Sequence, residues 1–483
     1  MSNEPVDALV RRLEPVARIN GTQLEISDPD TFREDHVDAL VHDAVFADEP
    51  GVRDAARWII WAASQALGCG SASIYELYLA RGRGEVSPTA FTVPAINLRA
   101  ATYLTARQAI RAALERDAAT LVFEIAKSEM AYTDQRPAEY TAVILAAAMR
   151  EGWTTPVFLQ GDHFQFNAKK WAADAGSEME GLRQLTREAI EAGFLNIDID
   201  SSTLVDLSLP TVPEQQAVNA RNSAELARLV RELQPDGVTI SIGGEIGEVG
   251  KENSTEEELR AYLDEVRRLL GADVPGLAKV SIQTGTSHGG VPLPDGGVAE
   301  VKLDFGTLQR LSRVAREEYG MAGAVQHGAS TLPNELFDQF PVHEAAEIHL
   351  ATGFQNILYD AGGLPDVLRD EMMDWVRTNC ADERTPEQTE DQFLYKSRKK
   401  AIGPFKRQLW SLPPDAAEEI GANLLAKFGQ LFDELKIAGT RALVEQHVRR
   451  VPLHRPLPAS LGGAQREAAR VGAGFFEGDD SGE

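Results

Sequence analysis

The chain has 483 residues, of which 43% are hydrophobic, and a formal net charge of −26 at neutral pH. This acidic excess argues against nucleic acid or an anionic membrane as a partner, because both require clustered Lys and Arg. Two cysteines without metal-ligand spacing, no signal-peptide pattern and no apolar run of membrane-spanning length predict a reduced, cytoplasmic protein.

Residues 1–88 are predicted to form a helical extension that packs on the rest of the chain. From Thr89 onward, strand-like segments alternate with helical segments whose apolar residues recur every three or four positions. The eight predicted strands are 91–97, 119–126, 156–162, 194–200, 237–243, 278–285, 322–328 and 354–360. This count predicts a (β/α)8 TIM barrel over residues 89–362. An open doubly wound sheet is the alternative, but it usually has fewer strands and a Gly-rich first turn.

A second helical extension is expected over residues 363–455, followed by a disordered tail at 456–483. The helical extension contains the basic cluster KSRKKAIGPFKRQLW. This cluster could bind a phosphate group, or it could be a solvated face or a contact between subunits. We expect the protein to form a homo-oligomer.

Three histidines each close a short apolar run: His163 in VFLQGDH, His288 in KVSIQTGTSHGG and His327 in GAVQHGAS. The carboxyl ends of barrel strands meet on one face, where three imidazoles can form an open metal site. One histidine at a strand end usually makes only a hydrogen bond, but three in the same context favour a metal.

Carboxylates accompany these histidines at the predicted strand ends. Asp162 precedes His163, and both side chains can reach the pocket if the strand ends there. Asp198 and Asp200 share one face of the fourth strand, with Asp200 closer to the rim. Glu245 follows the fifth strand among glycines, so a mobile segment could carry it to the substrate as a base. Most of the 74 acidic residues must simply face water.

Small and polar residues follow the later strands. Backbone N–H groups and short side chains in such loops commonly hold phosphate in barrels, and here they would place an anion beside the metal. These residues are Gly289, Gly290, Gly328, Ser330 and Asn356.

Six ordered motifs between about residues 90 and 362 resemble the metal-dependent class II ketose-bisphosphate aldolases. They are VPAIN, GDHFQFNAKKW, NIDIDSSTL, EIGEVGKE, SHGG and GAVQHGASTLPNEL. The GDHFQFNAKKW segment is most similar to the tagatose-bisphosphate aldolase subunits of the same superfamily.

The resemblance implies a Zn²⁺ ion bound by His163, His288 and His327, with Asp162 exchanging a proton with the substrate hydroxyl. Asp200 and Glu245 match a second or alternative metal location. The catalytic glutamate of the mobile loop matches Glu252, although Asn253 could take that place. The implied contacts with substrate and its phosphate are made by Asn97, Gly289, Gly328, Ser330 and Asn356.

The chain departs from the family pattern in two strands. The eighth has FQNILYDAG where the family has Lys before the Asn and an acid and Thr after it. Near Ala126 the family's serine is replaced by EIAKSEM, which brings Glu124, Lys127 and Ser128 to the rim. Lys127 could form a Schiff base, but a metal would make that lysine redundant.

We therefore predict a zinc-dependent aldolase that cleaves or forms a C–C bond in a phosphorylated ketose through a metal-stabilised enediolate. A non-catalytic partner subunit of a tagatose-bisphosphate-type aldolase is one alternative. A metal-dependent sugar isomerase or epimerase is the other, since it would share the enediolate without C–C cleavage.

Overall fold

Eight parallel strands form a closed barrel in the computed structural model, which describes residues 4–247, 252–285, 303–329, 332–464 and 471–476. Each strand pairs with its neighbours in the sequence, and the first also pairs with the last. The predicted (β/α)8 barrel is thus confirmed. The strands, labelled β1 to β8, are Val93–Asn97, Val122–Ala126, Val157–Gln165, Asn196–Asp200, Ser241–Glu245, Lys279–Ile282, Ala324–Gln326 and Glu347–Leu350.

The longer helices surround the barrel because they present an apolar stripe to the strands. Glu256–Leu270 is typical: a capping box joins Thr255 to Glu258, and Leu259, Leu263 and Val266 are buried. The α-helices around the barrel are Thr102–Leu114, Lys127–Tyr132, Pro137–Arg150, Ala168–Ala173, Ala175–Ala192, Val212–Leu233, Glu256–Leu270, Phe305–Tyr319, Gln339–Val342 and Thr352–Asp360, with 3-10 turns at Ser202–Leu204 and Asn334–Leu336.

The eighth strand lies before the segment predicted for it. Residues 354–360 belong to the helix Thr352–Asp360, and β8 is formed by Glu347–Leu350. The prediction was wrong because Phe354 and Leu358, four residues apart, form the buried face of a helix, and the Phe354 ring packs 4.6 Å from that of Phe428. The strand β8 was not predicted because its sequence contains polar residues, although all of its side chains are buried.

The extensions flank the barrel on its outside. The N-terminal one contains Glu4–Leu13, a hairpin of Ala17–Asn20 and Gln23–Ile26, Pro29–Thr31, a π-helical turn Phe32–His36, Val37–Phe46, Pro50–Ala66, a two-residue strand Ser71–Ala72 beside β3, and Tyr75–Gly82. The C-terminal one contains Asp366–Asn379, Glu390–Ser397, Lys406–Trp410, Pro414–Glu434 and Arg441–His447, with 3-10 turns Ala381–Glu383, Arg398–Ala401, Ala459–Leu461 and Ala473–Phe475. None of the helices described has the length and apolar character of a membrane span.

Part of the tail that was predicted to be disordered packs on the barrel helices. The ring of Phe475 lies against Gly181, where any side chain would collide with it, and the Lys127 ammonium lies 4.4 Å from the centre of that ring. Phe476 is buried beside the guanidinium of Arg136.

Arg81 joins the N-terminal extension to the start of the barrel. It is 1% exposed, and its guanidinium donates to the carbonyls of Phe91 and Pro88, both at 2.6 Å, and of Ala345 at 2.8 Å. Phe91 precedes β1 and Ala345 precedes β8, so one side chain holds the point where the barrel closes.

We expect Arg81→Met to lower the free energy of unfolding by about 3–5 kcal/mol, because several buried carbonyls lose a charged donor. Chemical denaturation followed by circular dichroism measures this. Arg18→Met is the control, since Arg18 forms an exposed ion pair with Glu25 and its loss should leave stability almost unchanged. Equal effects for the two variants would contradict the assigned role of Arg81.

Candidate metal centre

A bulge in β3 turns two consecutive side chains into the barrel. The pairing register with β4 shifts between Gly161 and Phe164, so Asp162 and His163 together oppose a single residue. His163 has a φ of +38°, a left-handed conformation that is uncommon for a residue with a side chain. Because of this local geometry, the carboxylate and the imidazole both reach the interior.

His163 lies at the centre of a group of histidine and carboxylate side chains at the carboxyl ends of the strands. Its Nδ1 atom is 3.1 Å from Asp200 Oδ2 and 3.3 Å from Glu245 Oε2. The ring of His327, which follows β7, lies 4.2 Å from the His163 ring between centroids. Gln165 donates to Asp200 Oδ2 at 2.6 Å and so fixes that carboxylate.

Glu245 is the last residue of β5, whereas the sequence suggested a mobile Gly-rich loop. Gly243 and Gly244 are part of the strand because neighbouring side chains occupy the space that a Cβ would need. A Cβ at Gly243 would collide with Asp198, and one at Gly244 would collide with the Tyr262 hydroxyl. The glycines therefore allow close packing, and the strand holds Glu245 in place.

Asp162 is held from two sides by residues of other strands. Asn97, at the end of β1, donates its amide to Asp162 Oδ2 at 3.1 Å and to Glu124 Oε1 at 2.9 Å. His349, on β8, places Nδ1 3.0 Å from Asp162 Oδ1 and 3.1 Å from Glu124 Oε1. All four side chains are buried.

A second polar layer lies deeper in the barrel, around Glu347. Its carboxylate accepts hydrogen bonds from Tyr78 and Lys279, and Oε1 lies 2.6 Å from His349 Nε2. The Lys279 ammonium also contacts Asp198 Oδ2 at 2.8 Å. This lysine is a fixed cation that compensates part of the negative charge.

The charge inside the barrel is nevertheless strongly negative. Among the residues that the structure describes, six carboxylates converge there with one lysine. They are Glu124, Asp162, Asp198, Asp200, Glu245 and Glu347. Burial raises the pKa of Glu124 to about 8. Burial also opposes the charge of Asp162, but the positive charges of His163 and His349 outweigh it and lower the pKa of Asp162. Burial likewise opposes the charge of His163, but its carboxylate neighbours outweigh it and raise the His163 pKa well above its ordinary value.

These residues fit a divalent cation. Ligand atoms of His163, Asp200 and Glu245 lie within 4.8 Å of one another, as do those of Asp162, His163 and His327. Imidazole and carboxylate together are the donors of many zinc sites, and a cation would offset the surplus of carboxylates.

Some of the other predicted site residues lie outside the described part of the chain, and one lies apart from the buried cluster. His288, Gly289 and Ser330 lie outside the described residues. Glu252 is exposed and does not belong to the buried cluster.

Two further residues of the predicted substrate site are described: Gly328 lies directly after His327, and Asn356 lies on the helix after β8. Gly328 follows His327 with a φ of +68°, which favours glycine. Asn356 sits on the helix after β8, where its side chain donates to the Tyr395 hydroxyl at 3.0 Å and accepts from Arg398 at 2.8 Å. Asn356 therefore contacts the C-terminal extension.

The Lys127 ammonium donates to the Gln165 carbonyl at 2.8 Å and forms an ion pair with Glu178.

Sequence reasoning missed His349, Glu347 and Lys279. The signal for the first two was alternation: in AEIHLAT, Glu347 and His349 are two residues apart and share one face of a strand. Lys279 opens an apolar strand, where a buried lysine could be inferred only from the acids that it meets.

The profile of the family described as Fructose-bisphosphate aldolase class-II matches residues 85–402, which include the barrel and part of the C-terminal extension. The chain belongs to this family. A search of curated proteins gave no significant match.

Solved structures similar to this class II aldolase family member were found at low sequence identity. The fructuronate-tagaturonate epimerase UxaE from Cohnella laeviribosi is 10% identical, with a TM-score of 0.52 over 89% of this chain and 99% of its own. A probable tagatose 6 phosphate kinase from Sinorhizobium meliloti is 18% identical, with a TM-score of 0.51 over 74% and 99%. A putative fructose-1,6-biphosphate aldolase from Coccidioides immitis is 16% identical, with a TM-score of 0.44 over 76% and 97%.

We expect His163→Ala and His327→Ala each to lose bound divalent metal, because each removes an imidazole from the cluster. Elemental analysis after dialysis against Zn²⁺ measures the metal content. His343→Ala is the matched control, since His343 lies outside the cluster and its Nδ1 contacts the Gln339 carbonyl. Full metal content in both cluster variants would refute the site.

Proposed function

We propose that the protein is a zinc-dependent aldolase that cleaves or forms a C–C bond in a phosphorylated ketose. The observation that carries the proposal is the β3 bulge, which places a carboxylate suited to proton transfer next to an imidazole suited to metal binding. Membership of the class II aldolase family supports the same reaction type.

The proposed metal ligands are His163 and His327, together with His288 as the family resemblance implies. Asp200 and Glu245 would either complete the coordination or orient His163 through its Nδ1 atom. When bound, the cation supplies positive charge beside the substrate carbonyl, which stabilises the negative charge that develops there.

Asp162 is the proposed proton-transfer residue. In the cleavage direction its carboxylate accepts the proton of the substrate hydroxyl at the bond that breaks, and in the synthetic direction it returns that proton. Among the described residues, Asp162 Oδ1 has His349 and Oδ2 has Asn97 at hydrogen-bond distance, and His163 Nε2 lies 3.8 Å from Oδ1. A carboxylate oxygen offers two lone pairs. One lone pair on each oxygen is therefore left for the substrate.

The phosphate group of the substrate would bind at the rim between β7 and β8. Gly328 opens the loop after β7, and the helix Thr352–Asp360 begins directly after β8. Backbone N–H groups at a helix N-terminus attract an anion even in an acidic protein. The buried Arg99, which is ion-paired with Glu129, donates to Thr352 Oγ1 at 3.3 Å and so holds the start of this helix.

The first prediction of this proposal concerns Asp162→Asn. We expect the variant to retain its fold and metal while losing roughly 10²–10⁴-fold in turnover, because it removes the proton acceptor but keeps the shape of the side chain. Cleavage of fructose 1,6-bisphosphate and of tagatose 1,6-bisphosphate provides the measurement. Unchanged turnover would show that Asp162 has another role.

The second prediction concerns the phosphate. The metal-loaded protein should bind dihydroxyacetone phosphate more tightly than dihydroxyacetone, because only the former can use the N-terminus of the helix after β8. Titration calorimetry with both compounds compares the dissociation constants. Equal affinities would exclude recognition through phosphate.

An epimerase is the second candidate function. The observation in its favour is that the structure of the fructuronate-tagaturonate epimerase aligns with 89% of this chain, including much of the extensions. Incubation with fructuronate, followed by NMR, would detect tagaturonate. Epimerisation without aldol cleavage of either bisphosphate would favour this candidate.

A non-catalytic partner subunit is less well supported. Such a subunit would not need a surplus of buried carboxylates, whose desolvation costs stability unless a cation or another partner compensates it. The buried cluster with Asp162 and His163 therefore favours an enzyme.

A further inference from the structure

We infer that His349 is a positioning residue that holds the Asp162 carboxylate in the orientation required for proton transfer. This inference rests on the proposed function of Asp162. It assigns a role to a histidine of β8 that the sequence motifs did not identify.

The first argument is that the backbone leaves Asp162 in need of support. Asp162 lies in the β3 bulge, where the regular pairing with β4 is interrupted. A side chain in a bulge is re-aimed by local geometry and needs other contacts to fix its direction. Among the described residues, the contacts at hydrogen-bond distance are the Asn97 amide at Oδ2 and the His349 ring at Oδ1, whereas His163 Nε2 is 3.8 Å from Oδ1.

The second argument is that His349 is itself held firmly. Its Nδ1 atom is 3.0 Å from Asp162 Oδ1 and its Nε2 atom is 2.6 Å from Glu347 Oε1, so both ring nitrogens have carboxylate partners. The ring cannot rotate without breaking one of these contacts. The side chain is fully buried, which removes water as a substitute partner.

The third argument is that Glu347 is anchored in turn. It accepts hydrogen bonds from the Tyr78 hydroxyl and from the Lys279 ammonium, while Gln160 Nε2 donates to it at 3.0 Å. Tyr78 belongs to the N-terminal extension, and the others belong to β3 and β6. A continuous series of hydrogen bonds therefore connects the rigid floor of the barrel with Asp162.

The two amide variants of His349 separate the two ring contacts. In His349→Asn the amide nitrogen can take the position of Nδ1, keep the contact with Asp162 and lose that with Glu347. In His349→Gln the amide reaches the position of Nε2, so the contact with Glu347 remains and that with Asp162 is lost. Gln fills more of the volume of the imidazole, so a purely structural role would favour Gln over Asn.

We expect His349→Gln to lower kcat for cleavage of fructose 1,6-bisphosphate by roughly 10–100-fold, with KM changed by less than about twofold, as is usual when a supporting contact is removed. His349→Asn should retain most of kcat. Exchange of the carbon-bound proton of dihydroxyacetone phosphate in D₂O should be retained in both variants, because that step does not use the hydroxyl proton handled by Asp162. In an Asp162→Asn background, His349→Gln should cause no further loss.

A crystal structure of each variant supplies a readout that is independent of activity. The Asp162 side chain should keep its rotamer in His349→Asn and leave it in His349→Gln. His343→Gln serves as the control for the loss of a histidine outside the cluster.

Three results would overturn the inference. An unchanged kcat in His349→Gln, while Asp162→Asn is impaired, would leave the proposed function intact and remove the role of His349. Loss of metal from His349→Asn would make His349 a ligand, consistent with a cation held by Glu124, Asp162 and His349. Full activity of Asp162→Asn would refute the proposed function and the inference together.

Discussion

The surplus of buried negative charge inside the barrel is the constraint on which the rest of the site depends. In the part of the chain that the structure describes, six carboxylates share this interior with one lysine and with the imidazoles of His163 and His349. Separating such charges from water is costly, so each must have a hydrogen-bond donor, a proton or a cation. Lys279 donates to carboxylates of the deeper layer, and the histidines contact the carboxylates nearer the rim. A divalent ion at the rim would offset part of the remaining negative charge.

Two irregularities in the strands make the arrangement possible. The bulge in β3 brings two adjacent residues inside, where a regular strand would turn one of them outward. The paired glycines of β5 let Asp198 and Tyr262 approach the backbone closely, so Glu245 can end the strand inside the cluster. Both features cost local stability, and the surrounding closed barrel supports them.

The extensions contribute to the barrel as well as covering it. Arg81 of the N-terminal extension holds the segments before β1 and β8, and Tyr78 of the same helix donates to Glu347 inside the barrel. The C-terminal extension binds Asn356 and Asp360 through Arg398 and thereby fixes the helix that follows β8. The parts of the chain outside the barrel therefore help to hold the floor and the rim of the candidate site.

The amino-acid sequence by itself determined the barrel, since the alternation of apolar strands and amphipathic helices is a local pattern that recurs along residues 89–362. It also indicated His163, His327 and Asp162, because a strand that ends at a polar residue leaves a local signal. It misplaced β8 because Glu347 and His349 make that strand polar, and they are tolerated inside only because Lys279, Tyr78 and Asp162 meet them there. Lys279 was not identified from the sequence either, because the carboxylates that it contacts lie on other strands. Partners from distant strands come together only when the barrel closes, so the tertiary structure alone decided which buried charges compensate one another.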